Sequence, residues 1–156
     1  MLLLNAYQNA YVTRNRDKAV AMLRERHGLE EFIFFEPDIE VRTPQGVGQS
    51  KTRVALGWAG NLQIELIEPV SGLVDLYRPY LPADDQSLGF HHIAIRVDDW
   101  GTFTEEVARA KYPVAYASGL EGLEFVYLDA RDTLGHYVEY MWATPQWWKV
   151  LGYPGA

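Results

Sequence analysis

Polar and apolar residues alternate along several short stretches of the chain, and such alternation is typical of β-strands with one face buried. The alternation is clearest in 62–68, 90–97 and 136–142. Residues 6–13 alternate less regularly but are rich in Tyr, Val and Thr, which favour strands. The predicted strands cover residues 6–13, 32–35 (running irregularly towards Val41), 51–59, 62–68, 90–97, 114–117, 123–130 and 136–142.

Two segments predict helices, one after the first strand of each half of the chain. The first is expected to begin at a Thr13 or Asn15 cap and to end at Gly28, which tolerates the left-handed conformation of a helix stop. The second is expected to follow Asp98 or Asp99. The order strand, helix, three strands therefore occurs twice, and it begins again about 84 residues along the chain.

This repeat predicts an α+β fold of two βαβββ modules. Set edge to edge, two such modules form a curved mixed sheet that encloses a cup, with both helices outside. Residues 1–156 are expected to form one domain. Its parts are module one (about 5–70), a connector rich in Pro and Gly (71–89), module two (about 90–143) and an aromatic C-terminal tail (144–156).

Strand parity selects the side chains that face the cup, because neighbouring side chains point to opposite faces. The apolar set of each strand is assigned to the face under the helix, so that the polar set faces inward. The inward polar residues on the first and last strands of the modules are Gln8, Glu65, His92 and Glu139. On the first strand the same assignment puts Tyr7 under a helix. His91 has the opposite parity to His92 and is interpreted as structural or as a partner that supports it.

These four residues predict one divalent-metal site. Buried carboxylates without a partner are costly, and a cation between Glu65 and Glu139 would compensate them. Three oxygen ligands and one nitrogen suit Zn, Ni, Co or Mn, with Fe less favoured. The chain has no cysteine, which excludes disulfides, thiolate catalysis and Cys-ligated zinc.

Three sequence motifs resemble the vicinal oxygen chelate superfamily. They are His92-Ile-Ala-Ile-Arg-Val-Asp-Asp99, Asp132-Thr-Leu-Gly-His-Tyr-Val-Glu-Tyr140 and Glu65-Leu-Ile-Glu-Pro-Val-Ser-Gly72. The third is similar to a stretch of the branch that contains methylmalonyl-CoA epimerase. Two positions depart from the superfamily pattern, since Gln8 replaces the commoner histidine and Thr133 the usual proline. The quartet of Gln8, Glu65, His92 and Glu139 also resembles the metal set of eukaryotic glyoxalase I. The glutathione-binding features of glyoxalase I are not recognisable, so the resemblance does not supply a substrate.

The resemblance implies a metal-dependent isomerase, epimerase or lyase that moves a proton alpha to a carbonyl group. Glu139 is then the expected base, and Glu65 a ligand or second acid/base. The partner is expected to be a small carbonyl or aromatic molecule. The alternatives are an extradiol dioxygenase with iron on two histidines and one carboxylate, a metal-free protein that sequesters a ligand as bleomycin-resistance proteins do, and a scaffold without turnover.

Net charge and the lengths of the apolar runs exclude further classes of binding partner. The net charge is −7, and an acidic surface repels a phosphate backbone, so we expect no nucleic acid. No apolar run is long enough to span a bilayer, and we expect no membrane contact and a cytoplasmic location. The tail carries Trp147, Trp148 and Tyr153 close after Trp142. This aromatic surface predicts either a homodimer contact or a lid over the cup, and a homodimer is expected.

Overall fold

The structure is a computed structural model that describes all residues, 1–156. Nine strands, three α-helices and a short 3₁₀ helix make up the chain. They are β1 (Ala6–Val12), α1 (Arg16–His27), β2 (Phe32–Phe35), β3 (Asp38–Thr43), β4 (Gly46–Ala59), β5 (Leu62–Gly72), the 3₁₀ helix (Arg78–Tyr80), β6 (Gly89–Arg96), α2 (Trp100–Ala110), β7 (Val114–Leu120), β8 (Leu123–Ala130), β9 (His136–Ala143) and α3 (Pro145–Val150).

All nine strands belong to one curved mixed sheet, in the order β2-β4-β3-β7-β8-β9-β6-β1-β5. The sheet closes on itself because β4 also pairs with β5. The two modules meet along β1 and β6, which are antiparallel, and again between β3 and β7. This second contact, called the seam below, consists of the single residue pair Arg42 and Ala117. The predicted fold class, a cup made of two βαβββ modules, is confirmed.

Strands β2 and β3 act as one strand broken in the middle. Both pair with β4, β2 with its C-terminal half and β3 with its N-terminal half. The break falls at Glu36 and Pro37. Proline has no N–H to donate to a sheet and is confined to strand ends and edges. Module one therefore keeps the predicted order of strand, helix and three strands, with the second strand interrupted.

Both module helices lie on the outer face of the sheet, as predicted. Helix α1 starts at Asn15, whose side chain accepts a hydrogen bond from the Lys18 N–H, and stops at Gly28 in the left-handed conformation. It buries Ala19, Val20 and Leu23 against Ala55 and Leu66 of the sheet. The helix therefore covers the outer face of module one.

Helix α2 begins at Asp99, which caps the Thr102 N–H. Its Phe103 packs against Ile95, Val138 and Tyr140 on the outer face of module two. These are the apolar sets that parity assigns to the helix side of β6 and β9, so the polar sets of those strands face the cup.

The connector and the tail close the cup from within. Val74 and Tyr77 of the connector pack on Val12 and Val41 inside one end. At the other end Trp148 of α3 is buried against Tyr7. The connector contains the 3₁₀ helix at 78–80, and the tail contains the helix α3, which is not among the two predicted helices.

Two strand boundaries also differ from the prediction. Strand β4 starts at Gly46 rather than at 51, because β3 and β4 form a hairpin in which Thr43 pairs with Gly46. Strand β5 continues to Gly72, past Pro69. The longer strands complete the wall of the cup. None of the helices is both long and apolar enough to cross a bilayer.

The strand pair β1 and β6 contains two irregularities that matter for the site. Ala6 pairs with Ile95 and Gln8 with Ala94, so that Tyr7 is an extra residue. In the same way Ala10 pairs with His92 and Tyr11 with Phe90, which leaves His91 extra. Each is a β-bulge, which breaks the alternation of side chains and re-aims one of them. The placement of Tyr7 under a helix is therefore wrong, because its side chain lines the inside of the cup.

Candidate metal and substrate site

Strand register places the four predicted ligands at two pairs of equivalent positions. On the parallel pair β1 and β5, Ala10 lies beside Glu65, and on β6 and β9, Ala94 lies beside Glu139. Across the junction between modules, Gln8 pairs with Ala94 and Ala10 with His92. Glu65 and Glu139 are thus related by the pseudo-symmetry of the modules, as are Gln8 and His92.

Three of the four side chains converge inside the cup. The His92 Nε2 atom lies 3.2 Å from Glu139 Oε2 and 3.5 Å from Glu65 Oε2. One potential ligand atom from each of these residues lies within 4.8 Å of the others. His92 is fully buried, Glu139 nearly so, and the Glu65 side chain is 14% exposed. Two carboxylates that share one imidazole at this spacing match the donor set expected for a divalent cation.

The ionisable side chains of this cluster shift one another's pKa values. Burial alone would lower the pKa of His92, but the adjacent Glu139 and Glu65 carboxylates favour the charged imidazolium and raise the pKa to about 9. Burial raises the pKa of Glu139, against the opposing effect of His92, and the nearby Glu65 raises it further. A proton on His92 therefore occupies the position that a cation would take between the two carboxylates.

Gln8 is the fourth member and lines the same cavity. Its Nε2 donates to Gln63 Oε1 at 2.7 Å, and Gln63 in turn donates to the Leu151 carbonyl at 3.2 Å. This chain orients the Gln8 amide so that Oε1 is left without a hydrogen-bond partner although it is buried. Glu65 Oε2 is likewise buried without a hydrogen bond. Buried acceptors without donors are rare, and the donor set therefore fits a metal ion.

His91 orients the ring of His92 through a hydrogen bond at the Nδ1 atom. His91 Nε2 lies 3.1 Å from the Leu76 carbonyl, and because a carbonyl can only accept, this nitrogen carries the proton. Burial and the neighbouring His92 hold the pKa of His91 well below its usual range, so the ring is neutral and its Nδ1 accepts. His92 Nδ1, at 2.8 Å, must then donate to it. This fixes the tautomer in which His92 Nε2 is left as the metal-facing nitrogen.

The cluster forms part of the wall of a cavity of about 320 Å³. Most of the lining is apolar or aromatic, from both modules and from the tail. The site thus combines a small polar cluster with a mainly apolar enclosure, which is the usual composition of a small-molecule site.

Several residues of this site were not predicted from the sequence. Tyr77, Tyr116 and Tyr127 line the cavity, and Gln63 orients Gln8. Gln63 lies two residues before Glu65 on β5, so the two side chains share the inner face. Tyr127 lies directly across from Glu139 in the pairing of β8 with β9, so a register prediction would have found it. Both faces of β8 are apolar, however, and its sequence does not show which face is inside.

The sequence of residues 7–127 matches the Glyoxalase/Bleomycin resistance protein/Dioxygenase superfamily. The match covers more than half of the chain, and the protein belongs to this superfamily. None of the curated proteins matches the sequence.

Solved structures share the fold at low sequence identity. A hypothetical protein from Bacillus halodurans is 18% identical, with 88% of this chain and 92% of that chain covered and a TM-score of 0.63. Methylmalonyl-CoA epimerase from Mycobacterium tuberculosis is 17% identical over 94% of this chain and 95% of its own, with a TM-score of 0.62. The Streptomyces coelicolor methylmalonyl-CoA epimerase in complex with 2-nitronate-propionyl-CoA is similar at 18% identity, 88% and 95% coverage and a TM-score of 0.58.

Proposed function

We propose that the protein is a metal-dependent isomerase or epimerase that moves a proton alpha to the carbonyl group of a small substrate. The observation that carries the proposal is the convergence of Glu65 and Glu139 on His92 within an apolar cavity. The superfamily membership and the fold shared with epimerases support it.

The proposed metal ligands are His92 Nε2, the Glu65 and Glu139 carboxylates and the partnerless Gln8 Oε1. When bound, a divalent ion acts as a Lewis acid that polarises the substrate carbonyl and makes the alpha proton more acidic. The protein holds these side chains in place because His92 donates a hydrogen bond to His91 and Gln8 donates one to Gln63. Zn, Ni, Co and Mn suit this set of oxygen and nitrogen ligands.

Glu139 is the proposed base. Its carboxylate accepts the proton from the alpha carbon, and the electron pair of the broken C–H bond becomes the double bond of an enolate. Burial raises the pKa of Glu139, which makes its carboxylate a stronger base than an exposed one. Protonated Glu139 then gives this proton to the neighbouring carbon, which yields an isomer. For an epimer, Glu65 from the other module starts the cycle protonated and gives its proton to the opposite face, and exchange with solvent resets both carboxyl groups.

The ligand set argues against the dioxygenase alternative. That class uses two histidines and one carboxylate on iron, whereas here one histidine faces two carboxylates. His91 is adjacent, but its ring nitrogens are engaged by Leu76 and by His92. A protein that only sequesters a ligand would have no need of a placed base, and proton exchange separates it from an enzyme.

Deuterium exchange tests the proposed reaction. A panel of aliphatic and aromatic α-hydroxyketones is incubated in heavy water with zinc- or nickel-loaded protein, and deuterium at the alpha carbon is followed by NMR. We expect exchange with wild type and a rate about 10²–10⁴ times lower with Glu139→Gln, the usual effect of removing a positioned base. Glu105→Gln, an exposed site on α2, serves as the matched control and should exchange as fast as wild type.

Two results would contradict the proposal. If Glu139→Gln exchanges as fast as wild type, Glu139 is not the base. If no member of the panel exchanges faster than with free metal, the protein does not catalyse this reaction.

Metal analysis gives a second, independent test. Reconstituted wild type should hold about one equivalent of divalent metal per chain. The double variant His92→Ala/Glu139→Ala should hold none, while circular dichroism confirms that it is folded. A wild type that takes up no metal, or a double variant that still takes up one equivalent, refutes the metal site.

A further inference from the structure

The charges that line the cavity are all of one sign. Its charged lining residues are Glu36, Glu65 and Glu139, and no Lys or Arg is among them. His92, which contacts both inner carboxylates, is the one cationic group in the cluster. A buried ligand carboxylate or phosphate needs a cationic partner, and this lining offers none beyond His92.

The inner cluster has no positive charge left over for a ligand. His92 can carry at most one positive charge, and it contacts two carboxylates. A divalent ion bound here would bring two positive charges, which Glu65 and Glu139 would balance. In either state the cluster is neutral or negative, so an anionic ligand would add an uncompensated charge in an apolar enclosure.

The arginine that lies between two lining residues of β4 is already engaged. On β4, Thr52 and Val54 line the cavity, so Arg53 between them points outward. Its guanidinium bridges Asp17 at 3.0 Å, Glu68 at 3.2 Å and Glu36 at 3.3 Å. Since these three carboxylates surround it, Arg53 does not supply free positive charge to the cavity.

The cavity offers aromatic faces instead. Ring centroids are 5.3 Å apart for Tyr116 and Tyr127 and 6.0 Å for Phe125 and Tyr127. Tyr77 completes this wall, with its centroid 6.0 Å from that of Tyr116. Tyr7 and the α3 residue Trp147 also line the cavity. A lining with this many aromatic rings suits an aromatic ligand.

The wall also carries a neutral hydrogen-bond donor. The hydroxyls of Tyr77 and Tyr127 lie 3.1 Å apart and are both buried. Their mutual hydrogen bond uses one of the two hydroxyl protons, and the other can be donated to a ligand oxygen or to the adjacent Tyr116 hydroxyl. The Tyr116 hydroxyl donates to Ser50 at 2.8 Å and is not available. A carbonyl or hydroxyl oxygen accepts such a proton without bringing a charge.

We infer that the substrate is a neutral carbonyl compound that carries an aromatic ring, and that carboxylates are rejected. The inference rests on the proposed function for the carbonyl, and on the lining of the cavity for the ring and the lack of charge.

A pair of ligands that differ in charge tests the inference. Methyl 4-(2-hydroxyacetyl)benzoate and the free acid 4-(2-hydroxyacetyl)benzoate share the ring and the hydroxyketone. Binding to zinc-loaded and metal-free protein is measured by titration calorimetry and by quenching of tryptophan fluorescence, since Trp147 lines the cavity. At about 0.15 M salt the repulsion from distant surface charges is screened. We expect the ester to bind at least about tenfold more tightly in both forms of the protein, and equal or tighter binding of the acid overturns the inference.

A substitution that adds one positive charge should shift this preference. Met141 is a partly exposed lining residue, so Met141→Lys places an ammonium group in the cavity and Met141→Leu is its neutral control. The Lys variant should favour the acid by at least about tenfold relative to the Leu variant. An unchanged preference in a folded Lys variant contradicts the charge argument. If the Lys variant does not fold, the ligand pair on wild type decides alone.

A third variant tests the hydroxyl donor. The double variant Tyr77→Phe/Tyr127→Phe keeps both rings and removes both hydroxyls of the pair, while Tyr112→Phe removes a hydroxyl that is engaged with Thr133 outside the cavity. Only the first should weaken binding of the ester, by about 3- to 20-fold, the usual effect of one neutral hydrogen bond. Equal effects of both variants would refute the assignment of the donor.

The outcomes separate this inference from the proposed function. A preference for the ester without proton exchange supports the ligand class and refutes the enzyme. Exchange that proceeds equally well with the acid supports the enzyme and refutes the ligand class.

Discussion

At the residue scale, a proton and the proposed metal ion would compete for the Nε2 atom of His92, and the pKa of His92 determines how this competition changes with pH. The pKa of His92 is raised to about 9 in the metal-free protein, above 6.5 for an unpaired histidine. The ion pair of protonated His92 with Glu139 and Glu65 therefore stabilises the fold fully below about pH 6.5. This stabilisation is lost as the pH rises through 9.

The same pKa predicts how metal binding responds to pH. Nε2 must lose its proton before it can bind zinc. Zinc affinity should rise by up to about tenfold per pH unit between pH 7 and 9, with close to one proton released from His92 per zinc bound. Calorimetry in buffers of different ionisation enthalpy measures both quantities. An affinity that stays flat over this range would show that His92 is not a ligand.

His91 should matter for metal binding although it is not a ligand. His91→Phe keeps a planar ring but removes the acceptor for His92 Nδ1, so the tautomer is no longer fixed. We expect about 10- to 100-fold weaker zinc binding, measured by competition with a chelator. His27→Gln, at an exposed position in the last turn of α1, should leave the affinity unchanged. If His91→Phe binds zinc as tightly as wild type, His91 contributes only to packing.

At the element scale, α3 is part of the wall of the cavity. Thr144 caps the helix and Pro145 occupies its first turn. Trp148 is 3% exposed, and its ring packs edge-on against Tyr7 with centroids 5.5 Å apart. The Leu151 carbonyl accepts hydrogen bonds from Trp58 and Gln63. The tail thus contacts the same Gln63 that orients Gln8.

Truncation of Trp148 should therefore affect both stability and the site. Trp148→Ala removes a buried aromatic ring and should lower the free energy of unfolding by about 3–5 kcal/mol, measured by urea denaturation. Val150→Ala, at a half-exposed position of the same helix, should cost less than about 1 kcal/mol. Equal losses in the two variants would show that α3 does not depend on Trp148 for its docking.

At the scale of the whole molecule, local sequence signals predicted the frame of the structure. Asn15 and Gly28 mark the ends of α1, and strand alternation placed Glu65 and Glu139 inside the cup. The bulges at Tyr7 and His91 could not be predicted from the sequence. A residue is extra only relative to the strand that pairs with it, and the sequence of its own strand does not show this. The inward turn of Tyr7 follows from one of them.

The residues from the connector and the tail were missed for a different reason. Tyr77 belongs to the connector, where polar and apolar residues do not alternate regularly. Its position depends on the path of the connector across the open end of the cup. The helix α3 had a readable signal, since threonine followed by proline is a typical helix start. Its docking against Tyr7, however, depends on the bulge that aims Tyr7 inward.

The two junctions between the modules are unequal. β1 and β6 pair over most of their length, whereas the seam between β3 and β7 has one residue pair, Arg42 with Ala117, supported by the hydrogen bond from the Ser118 hydroxyl to the Glu40 carbonyl. A wall held by few bonds opens more often than one held by many. Backbone amides along β3 and β7 should therefore exchange with solvent deuterium faster than those between β1 and β6. Such transient parting of the modules would let bulky molecules reach the interior without unfolding of either half.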